Sequence, residues 1–179
     1  MKTKPLVYTA VMAALITLCA WITIPTVVPF TLQTFAIFLA VGVLGGKLAS
    51  LAVAVYLLLG AAGLPVFSGF SGGLGPFAGV TGGYLLGFLL IALVMWGAEA
   101  LLGRGPVVFV VSGIVGLAVC YAFGTAWFVL MYAASTGPIG VASALWTCVI
   151  PFLLPDGVKL ALALVLSRRL APVLARARA

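Results

Sequence analysis

The chain has few charged residues and no histidine. Of its 179 residues 6% are charged, two are acidic and 65% are hydrophobic, and the mean hydropathy is +1.40. Soluble globular domains carry about 25% charged residues, so this class is excluded. With Glu99 and Asp156 as its acidic residues, the sequence places no general base beside a nucleophile and offers no metal-ligand cluster. We therefore expect neither an enzyme nor a metal protein.

Other common functional signatures are also missing. Cys19, Cys120 and Cys148 lie scattered in apolar sequence without CxxC spacing, which predicts small packing residues. No GK[ST] motif is present, so energised transport would need a separate subunit or a gradient. The net charge of +7 does not predict nucleic-acid binding, because nearly all of the basic residues lie at segment ends rather than along one face.

What the sequence does contain is a series of long apolar segments. They cover residues 6–24, 32–44, 48–64, 83–102, 106–133 and 154–173. A helix needs about 20 apolar residues to cross a hydrocarbon core of about 30 Å. The second and third segments are short, so they are tilted, packed inside the bundle or extended by flanking turns. The first is too long for a signal peptide and lacks a convincing cleavage pattern. We predict an all-α integral membrane protein with six transmembrane helices in one domain, residues 1–179.

The positions of the basic residues predict the orientation. With both termini in the cytoplasm, the outer connections at 25–31, 65–82 and 134–153 contain no lysine or arginine. The inner side then holds Lys2, Lys4, Lys47, Arg104, Arg168, Arg169, Arg176 and Arg178. A seventh span at 140–154 would move the C-terminal arginines outside. We therefore predict an outer helical or re-entrant piece at 140–153.

Asp156 and Lys159 are ionisable residues inside the last apolar segment. Their spacing of three places both side chains on one helical face, where they can meet or converge on a bound molecule. Each such group costs about 2.5 to 3.5 kcal/mol at the centre of a membrane helix, and the usual reason is a substrate, ion or proton site. Pro155 is expected at the helix start, which puts the pair in the first turns near the outer surface. The alternative is an interfacial salt bridge that orients a helix end.

A glycine-rich loop, residues 65–84, reads PVFSGFSGGLGPFAGVTGGY and connects predicted helices 3 and 4 on the outer side. Glycine lets a backbone approach a ligand closely, and the loop is too long for a simple turn. The alternative is a flexible connector. Gln33 needs a polar partner, either backbone or ligand, and Tyr84 fits a pocket or an ordinary interfacial position.

Small residues mark the first helix, and a charged pair closes the fourth. Ala10 and Ala14, with Ala13 beside them, form a small-xxx-small face that permits close helix contact, either within the chain or with a partner. Glu99 and Arg104 are predicted to be interfacial anchors.

Four ordered blocks, covering nearly the full length, resemble one family. They are VPFTLQTFAIFLA (28–40), YLLLGAAGLPVF (56–67), GGLGPFAGVTGGYLLGF (72–88) and PFLLPDGVKLALA (151–163). The chain resembles BioY, the membrane-embedded substrate-binding (S) component of biotin importers of the energy-coupling-factor (ECF) type. The resemblance implies a six-helix protein of the bacterial inner membrane that captures biotin from outside, in a cavity closed by loops.

The resemblance also implies roles for individual residues. Asp156 and Lys159 are expected to contact biotin, which is the transported ligand, and no cofactor is expected. Further positions expected to line or cover the site are Gln33, Gly72, Gly73, Phe77, Thr81, Gly82, Gly83 and Tyr84. Ala10 and Ala14 look like the motif that docks an S component onto the transmembrane coupling (T) subunit, itself joined to paired ABC ATPases.

Two departures from the family pattern affect the backbone near this site. Leu154-Pro155 stands where Pro-Gly is expected ahead of the aspartate, and Val80 stands where a proline is usual. The alternatives to a biotin component are an S component for another vitamin, a self-sufficient carrier or channel, and a structural membrane subunit.

Overall fold

The computed structural model describes the backbone of residues 3–178 and the side chains of residues 3–170. Lys2 and the side chains of Arg176 and Arg178 lie outside the described residues. The helices are α1 Thr3–Trp21, α2 Gln33–Leu44, α3 Gly46–Ala61, α4 Gly75–Ala78, α5 Gly82–Leu102, α6 Pro106–Ser135, α7 Val141–Cys148 and α8 Ile150–Arg178. A hairpin of two short antiparallel strands, β1 Thr23–Ile24 and β2 Phe30–Thr31, connects α1 to α2.

Four helical stretches of the described chain are long and apolar enough to cross a membrane. They are Thr3–Trp21, Gly82–Leu102, Pro106–Ser135 and Val141–Leu170, the last of which combines α7 with α8. Helices α2 and α3 are apolar but have 12 and 16 residues, which is about 18 and 24 Å at 1.5 Å per residue. Large apolar side chains cover the outward faces of the helices, as expected for contact with lipid. The chain is therefore a helical integral membrane protein.

The first helix begins and ends three residues earlier than predicted. Helix α1 ends at Trp21 rather than at residue 24, because Thr23 and Ile24 pair with Thr31 and Phe30. Pro25 disfavours helical geometry at Ile24, and β-branched residues at positions 22–24 favour extended backbone. The predicted connection at 25–31 is therefore part of a small hairpin.

The last helix begins earlier than predicted. Helix α8 starts at Ile150, so Pro151 rather than Pro155 occupies the first turn, where a missing donor costs nothing. Pro155 lies inside the helix, and the prediction that it starts the helix was wrong. Asp156 consequently stands in the second turn and Lys159 in the third. The predicted outer piece at 140–153 consists of α7 and the first turn of α8.

Close helix packing sets the frame of the bundle. Helix α6 packs chiefly on α5, and α8 chiefly on α2. Glycines permit the α5–α6 contact: a Cβ added to Gly83 would lie 2.3 Å from Trp127 Cβ, and one added to Gly87 would lie 2.6 Å from Cys120 Sγ. Such small residues let backbones approach in the absence of a hydrophobic driving force. The result is two helix pairs, α2–α8 and α5–α6, that face each other.

Glu99 connects the end of α5 to the turn between α2 and α3. Its Oε2 accepts a hydrogen bond from the Gly46 N–H at 2.6 Å, at the first residue of α3. Its Oε1 pairs with Arg104 Nε. A carboxylate at a helix N-terminus satisfies a free backbone donor and is favoured by the helix dipole. Glu99 therefore caps α3 from a neighbouring helix, a contact that the anchor prediction did not include.

This geometry generates a stability prediction. Glu99→Ala should lower the free energy of unfolding by about 1 to 3 kcal/mol, because a charged acceptor is removed from two donors. Leu101→Ala, on the same turn and 85% exposed, is the matched control and should change stability little. Thermal unfolding in detergent provides the measurement. Equal melting temperatures for Glu99→Ala and the parent chain would contradict the capping role.

Candidate functional site

The site is built around Asp156 and Lys159 on α8. Both side chains are buried, with residue exposures of 3% and 6%, and Lys159 Nζ lies 2.8 Å from Asp156 Oδ1. The predicted convergence of the two residues on one helical face is therefore present. A buried ion pair is tolerated only when its remaining donors and acceptors are also satisfied.

Asp156 receives its further hydrogen bonds from two other helices. Thr34 Oγ1 on α2 donates to Oδ1 at 2.9 Å, and the Tyr121 hydroxyl on α6 donates to Oδ2 at 2.6 Å. With the lysine, this makes three donors around a carboxylate that offers about four lone-pair positions. One acceptor position remains for a further donor.

Lys159 is held by the hairpin. Its Nζ donates to the Thr31 carbonyl oxygen at 2.7 Å and lies 4.4 Å from the centroid of the Phe30 ring. An ammonium over an aromatic face is a cation–π contact. The Phe30 ring stacks in turn on Phe152 of α8, with centroids 5.6 Å apart. The hairpin thus closes over the ion pair through backbone and ring contacts.

Gln33 belongs to a second buried polar group beside the first. Its Nε2 donates to the Tyr56 hydroxyl at 2.6 Å, and its Oε1 accepts from Thr31 Oγ1 at 2.8 Å. Thr31 therefore joins the two groups, because its hydroxyl meets Gln33 while its carbonyl meets Lys159. The sequence analysis offered backbone or ligand as the partner of Gln33 and favoured ligand, whereas the structure pairs its amide with two side chains.

Two small adjoining cavities lie at this cluster. One, of about 40 Å³, is lined by Asp156, Lys159 and Tyr121. The other, of about 100 Å³, is lined by Gln33, Phe67 and Thr81. Residues that line both are Val28, Pro29, Thr31, Tyr84 and Phe88. Ligand pockets usually measure about 300 to 1,000 Å³, so a vitamin-sized molecule requires the covering segments to move outward.

The glycine-rich loop and the hairpin form the cover of these cavities. Ser68 Oγ donates to Thr23 Oγ1 at 3.0 Å, and the rings of Trp21 and Phe70 lie 4.9 Å apart. Trp127 Nε1 on α6 donates to the carbonyl of Gly79 at 3.0 Å. Trp21 Nε1 also donates to the carbonyl of Pro65 at 3.0 Å. Side-chain contacts therefore join the loop to α1, to the hairpin and to α6.

The predicted loop residues divide into two sets. Tyr84 lines both cavities, with its hydroxyl 2.8 Å from Thr125 Oγ1, and Thr81 lines the second cavity. Phe77 packs edge-on against Phe67, with centroids 5.4 Å apart. Gly72 and Gly73 line neither cavity. They fold the loop onto the end of α3, where the Gly73 N–H donates to the Gly60 carbonyl at 2.7 Å.

Gly82 and Gly83 lie at the start of α5, where each meets a close neighbour. A Cβ on Gly82 would lie 1.9 Å from the carbonyl oxygen of Phe77, and Gly83 packs against Trp127. Both glycines therefore position Tyr84 rather than line a cavity.

The sequence analysis missed several residues of the cluster. They are Phe30, Thr31, Thr34, Tyr56 and Tyr121. Thr31 and Thr34 stand on either side of Gln33, so a polar run in an otherwise apolar block was the available signal. Tyr121 gave no signal, because a tyrosine inside a long apolar helix is an ordinary packing residue.

Ala10 and Ala14 lie far from this cluster, on a face of α1 that the chain leaves exposed. Val7, Val11 and Leu18 are exposed beside them. Ala13 points instead into the core, with 3% exposure. The small-residue contact is therefore not made within the described residues, and the face is free for a partner or for lipid.

Comparison with known proteins identifies the family. A sequence model of the BioY family matches residues 1–176. The chain belongs to the BioY family. The resemblance that the four sequence blocks carry is thereby confirmed.

Curated BioY relatives match over most of their length. The biotin transporter BioY of Thermotoga maritima is 42% identical over 93% of this chain and 95% of that protein. The probable biotin transporter BioY of Pyrococcus horikoshii is 39% identical over 95% of this chain and 98% of that protein. Both names describe transporters and not enzymes.

The BioY assignment extends to the fold. A crystal structure of the S-component for biotin from an ECF-type ABC transporter superposes with a TM-score of 0.83 at 28% identity. The match covers 94% of this chain and 91% of that one. This BioY chain therefore has the fold of an S component.

The buried pair generates a test of its energetics. Lys159→Met should destabilise the protein by about 3 to 5 kcal/mol, because it leaves the Asp156 charge without its partner. The double variant Asp156→Asn with Lys159→Met should regain much of that loss. Unfolding in detergent, measured for the parent chain and both variants, gives the order of their stabilities. A double variant no more stable than Lys159→Met would show that the two charges are not coupled.

Proposed function

We propose that this chain is the high-affinity biotin-binding S component of an ECF-type importer and mediates biotin uptake. The observation that supports this proposal is the buried Asp156–Lys159 pair, which lies beside a cavity under the hairpin and the glycine-rich loop. Biotin is proposed as the ligand because of the family membership and the names of the relatives. No catalytic residue or cofactor is part of the proposal.

The chemistry of biotin suits this cluster. Biotin presents a ureido group with two N–H donors and one carbonyl, an apolar ring and chain, and a carboxylate. The remaining acceptor position on Asp156 can take a ureido N–H in a charge-assisted hydrogen bond. Lys159 can donate to the ureido carbonyl or to the ligand carboxylate. Phe88, Tyr84 and the Phe30 ring supply apolar surface for the remainder.

The binding step includes a movement of the cover. The hairpin would separate from the glycine-rich loop at the Ser68–Thr23 contact, and the loop would separate from the end of α1 at the Trp21–Phe70 contact. Thr81, Tyr84 and Gln33 would line the widened cavity, and Phe77 would follow through its contact with Phe67. Gly72 and Gly73 would contribute by shaping the loop.

We further propose six transmembrane helices with both termini in the cytoplasm of a bacterium, in the inner membrane. Helices α2 and α3 complete the set by crossing together with their flanking turns. The glycine-rich loop and the hairpin then face outward, and Lys47, Arg104 and Arg168 face inward, which agrees with the positive-inside rule.

The proposed partners are the ECF T component and its paired ABC ATPase subunits. The exposed face of α1 that carries Ala10 and Ala14 is the proposed contact. Small side chains there would allow a partner helix to approach closely.

Asp156→Asn tests the ligand contact. Biotin affinity should fall more than tenfold, about 1.4 kcal/mol or more, since a charged acceptor is lost in a partly dry site. The matched control is Glu99→Gln, the same chemical change at the chain's other acidic residue, and its affinity should be unchanged. Calorimetry on purified protein measures both. An unaltered Kd for Asp156→Asn would remove this residue from the site.

Ala10→Phe and Ala14→Phe test the partner contact. Both variants should bind biotin as the parent chain does, yet support less uptake when the coupling subunits are co-expressed. Ala118→Phe, an exposed small residue on α6, serves as the control and should leave uptake intact. Lost biotin binding with intact assembly would contradict the docking role.

A further inference from the structure

A cavity of about 380 Å³ lies between the same helix pairs at their opposite end. The cavity beside Asp156 is bounded by the first turns of α2, α5 and α8, whereas this one is bounded by their later turns and by the start of α6. Its volume falls within the usual range of ligand pockets. We name it the inner cavity, defined by Val41, Gly42, Met95, Glu99, Gly103, Arg104, Gly105, Pro106, Val108, Phe109, Ser112, Leu164, Ser167 and Arg168.

The inner cavity is separate from the candidate biotin site. Arg168 follows Lys159 by nine positions on α8, about 14 Å along the helix. In that interval Leu160 packs against Gly113 of α6, where an added Cβ would lie 2.6 Å from Leu160 Cδ1. Packed side chains therefore close the interface between the two cavities.

The charge on the wall of the inner cavity is positive. Arg104 and Arg168 line it together with Glu99, which pairs with Arg104. Arg168 has no ion pair among residues 3–170. The chain has two acidic residues, and the other one, Asp156, pairs with Lys159. The exposed Arg168 side chain is therefore available to an anion from outside the described residues.

The start of α6 adds to this positive field. Gly105 and Pro106, the N-cap and first residue of this 30-residue helix, line the cavity, and no side chain caps the helix end. The first backbone N–H groups of a helix have no intrahelical acceptors and favour an anion. Arginine adds planar donors that match phosphate oxygens.

The remaining wall is apolar and suits a hydrocarbon chain. Val41, Met95 and Leu164 line it from three helices, and Val108 and Phe109 line it from a fourth. A small soluble anion would leave this surface unused. A phospholipid would use both parts, with its phosphate at the arginines and an acyl chain along the apolar wall. Basic pockets between membrane helices bind acidic lipid head groups in this way.

We propose that the inner cavity is a binding site for an anionic phospholipid. The phosphate is held by Arg168, by the free donors of Arg104 and by the N-terminus of α6. The site would couple the packing of the α2–α8 and α5–α6 pairs to the lipid composition of the membrane. This inference does not depend on the proposed biotin function.

Native mass spectrometry tests the lipid proposal. The full chain is released from detergent that contains an equimolar mixture of phosphatidylglycerol and phosphatidylethanolamine. The parent chain should retain phosphatidylglycerol preferentially. Arg168→Gln should reduce the retained fraction at least about fivefold. Arg169→Gln makes the same change at the adjacent arginine, which does not line the cavity, and should retain the parent level. Absence of preference, or equal losses in both variants, would overturn the proposal.

A second measurement separates lipid from free phosphate. Short-chain phosphatidylglycerol added to delipidated parent protein should raise its melting temperature, and the rise should be lost in Arg168→Gln. Short-chain phosphatidylcholine and inorganic phosphate at the same concentration should have little effect. Stabilisation by inorganic phosphate equal to that by phosphatidylglycerol would assign the cavity to a soluble anion and overturn the lipid assignment.

Discussion

The burial of one ion pair imposes most of the order at the end of the bundle that carries the hairpin. Asp156 and Lys159 lie inside apolar sequence, so their charges are tolerated only with complete hydrogen bonding. Thr34 of α2 and Tyr121 of α6 donate hydrogen bonds to the carboxylate, and the Thr31 carbonyl of the hairpin accepts one from the ammonium. Three segments that are remote in sequence therefore meet at α8 because a carboxylate and an ammonium require partners there. The same arrangement leaves an acceptor position beside a cavity, and we propose that a polar ligand binds there.

The sequence predicted what depends on local composition and failed where distant segments decide the result. The apolar segments with their proline and glycine boundaries gave the positions of α2, α5 and α6 within a few residues. Asp156 and Lys159 were found because charge is rare in such sequence. Tyr121 was not found, because its contact with Asp156 depends on the packing of α6 near α8. The end of α1 was misplaced because the pairing of Ile24 with Phe30 is a contact between strands.

The glycine-rich loop illustrates both outcomes within one segment. Composition alone indicated a long outer connection whose backbone approaches a ligand closely, whereas the structure shows close approaches at Gly72 and Gly82 to other backbone atoms. The groups approached are backbone atoms of the loop and of its neighbours, not the cavity. Thr81 and Tyr84, at the start of α5, are the predicted members that do line it. Which glycine faces a ligand depends on the path of the loop, and spacing does not encode that path.

The central claim is that biotin is held by the ion pair at the outer end of α8. A structure of the full chain determined with saturating biotin tests it most directly. The account predicts ureido density within hydrogen-bond distance of the Asp156 carboxylate, an outward displacement of the hairpin from the glycine-rich loop, and unchanged packing of Leu160 on Gly113. Biotin bound at the inner cavity, or elsewhere with the Asp156–Lys159 cluster undisturbed, would contradict it.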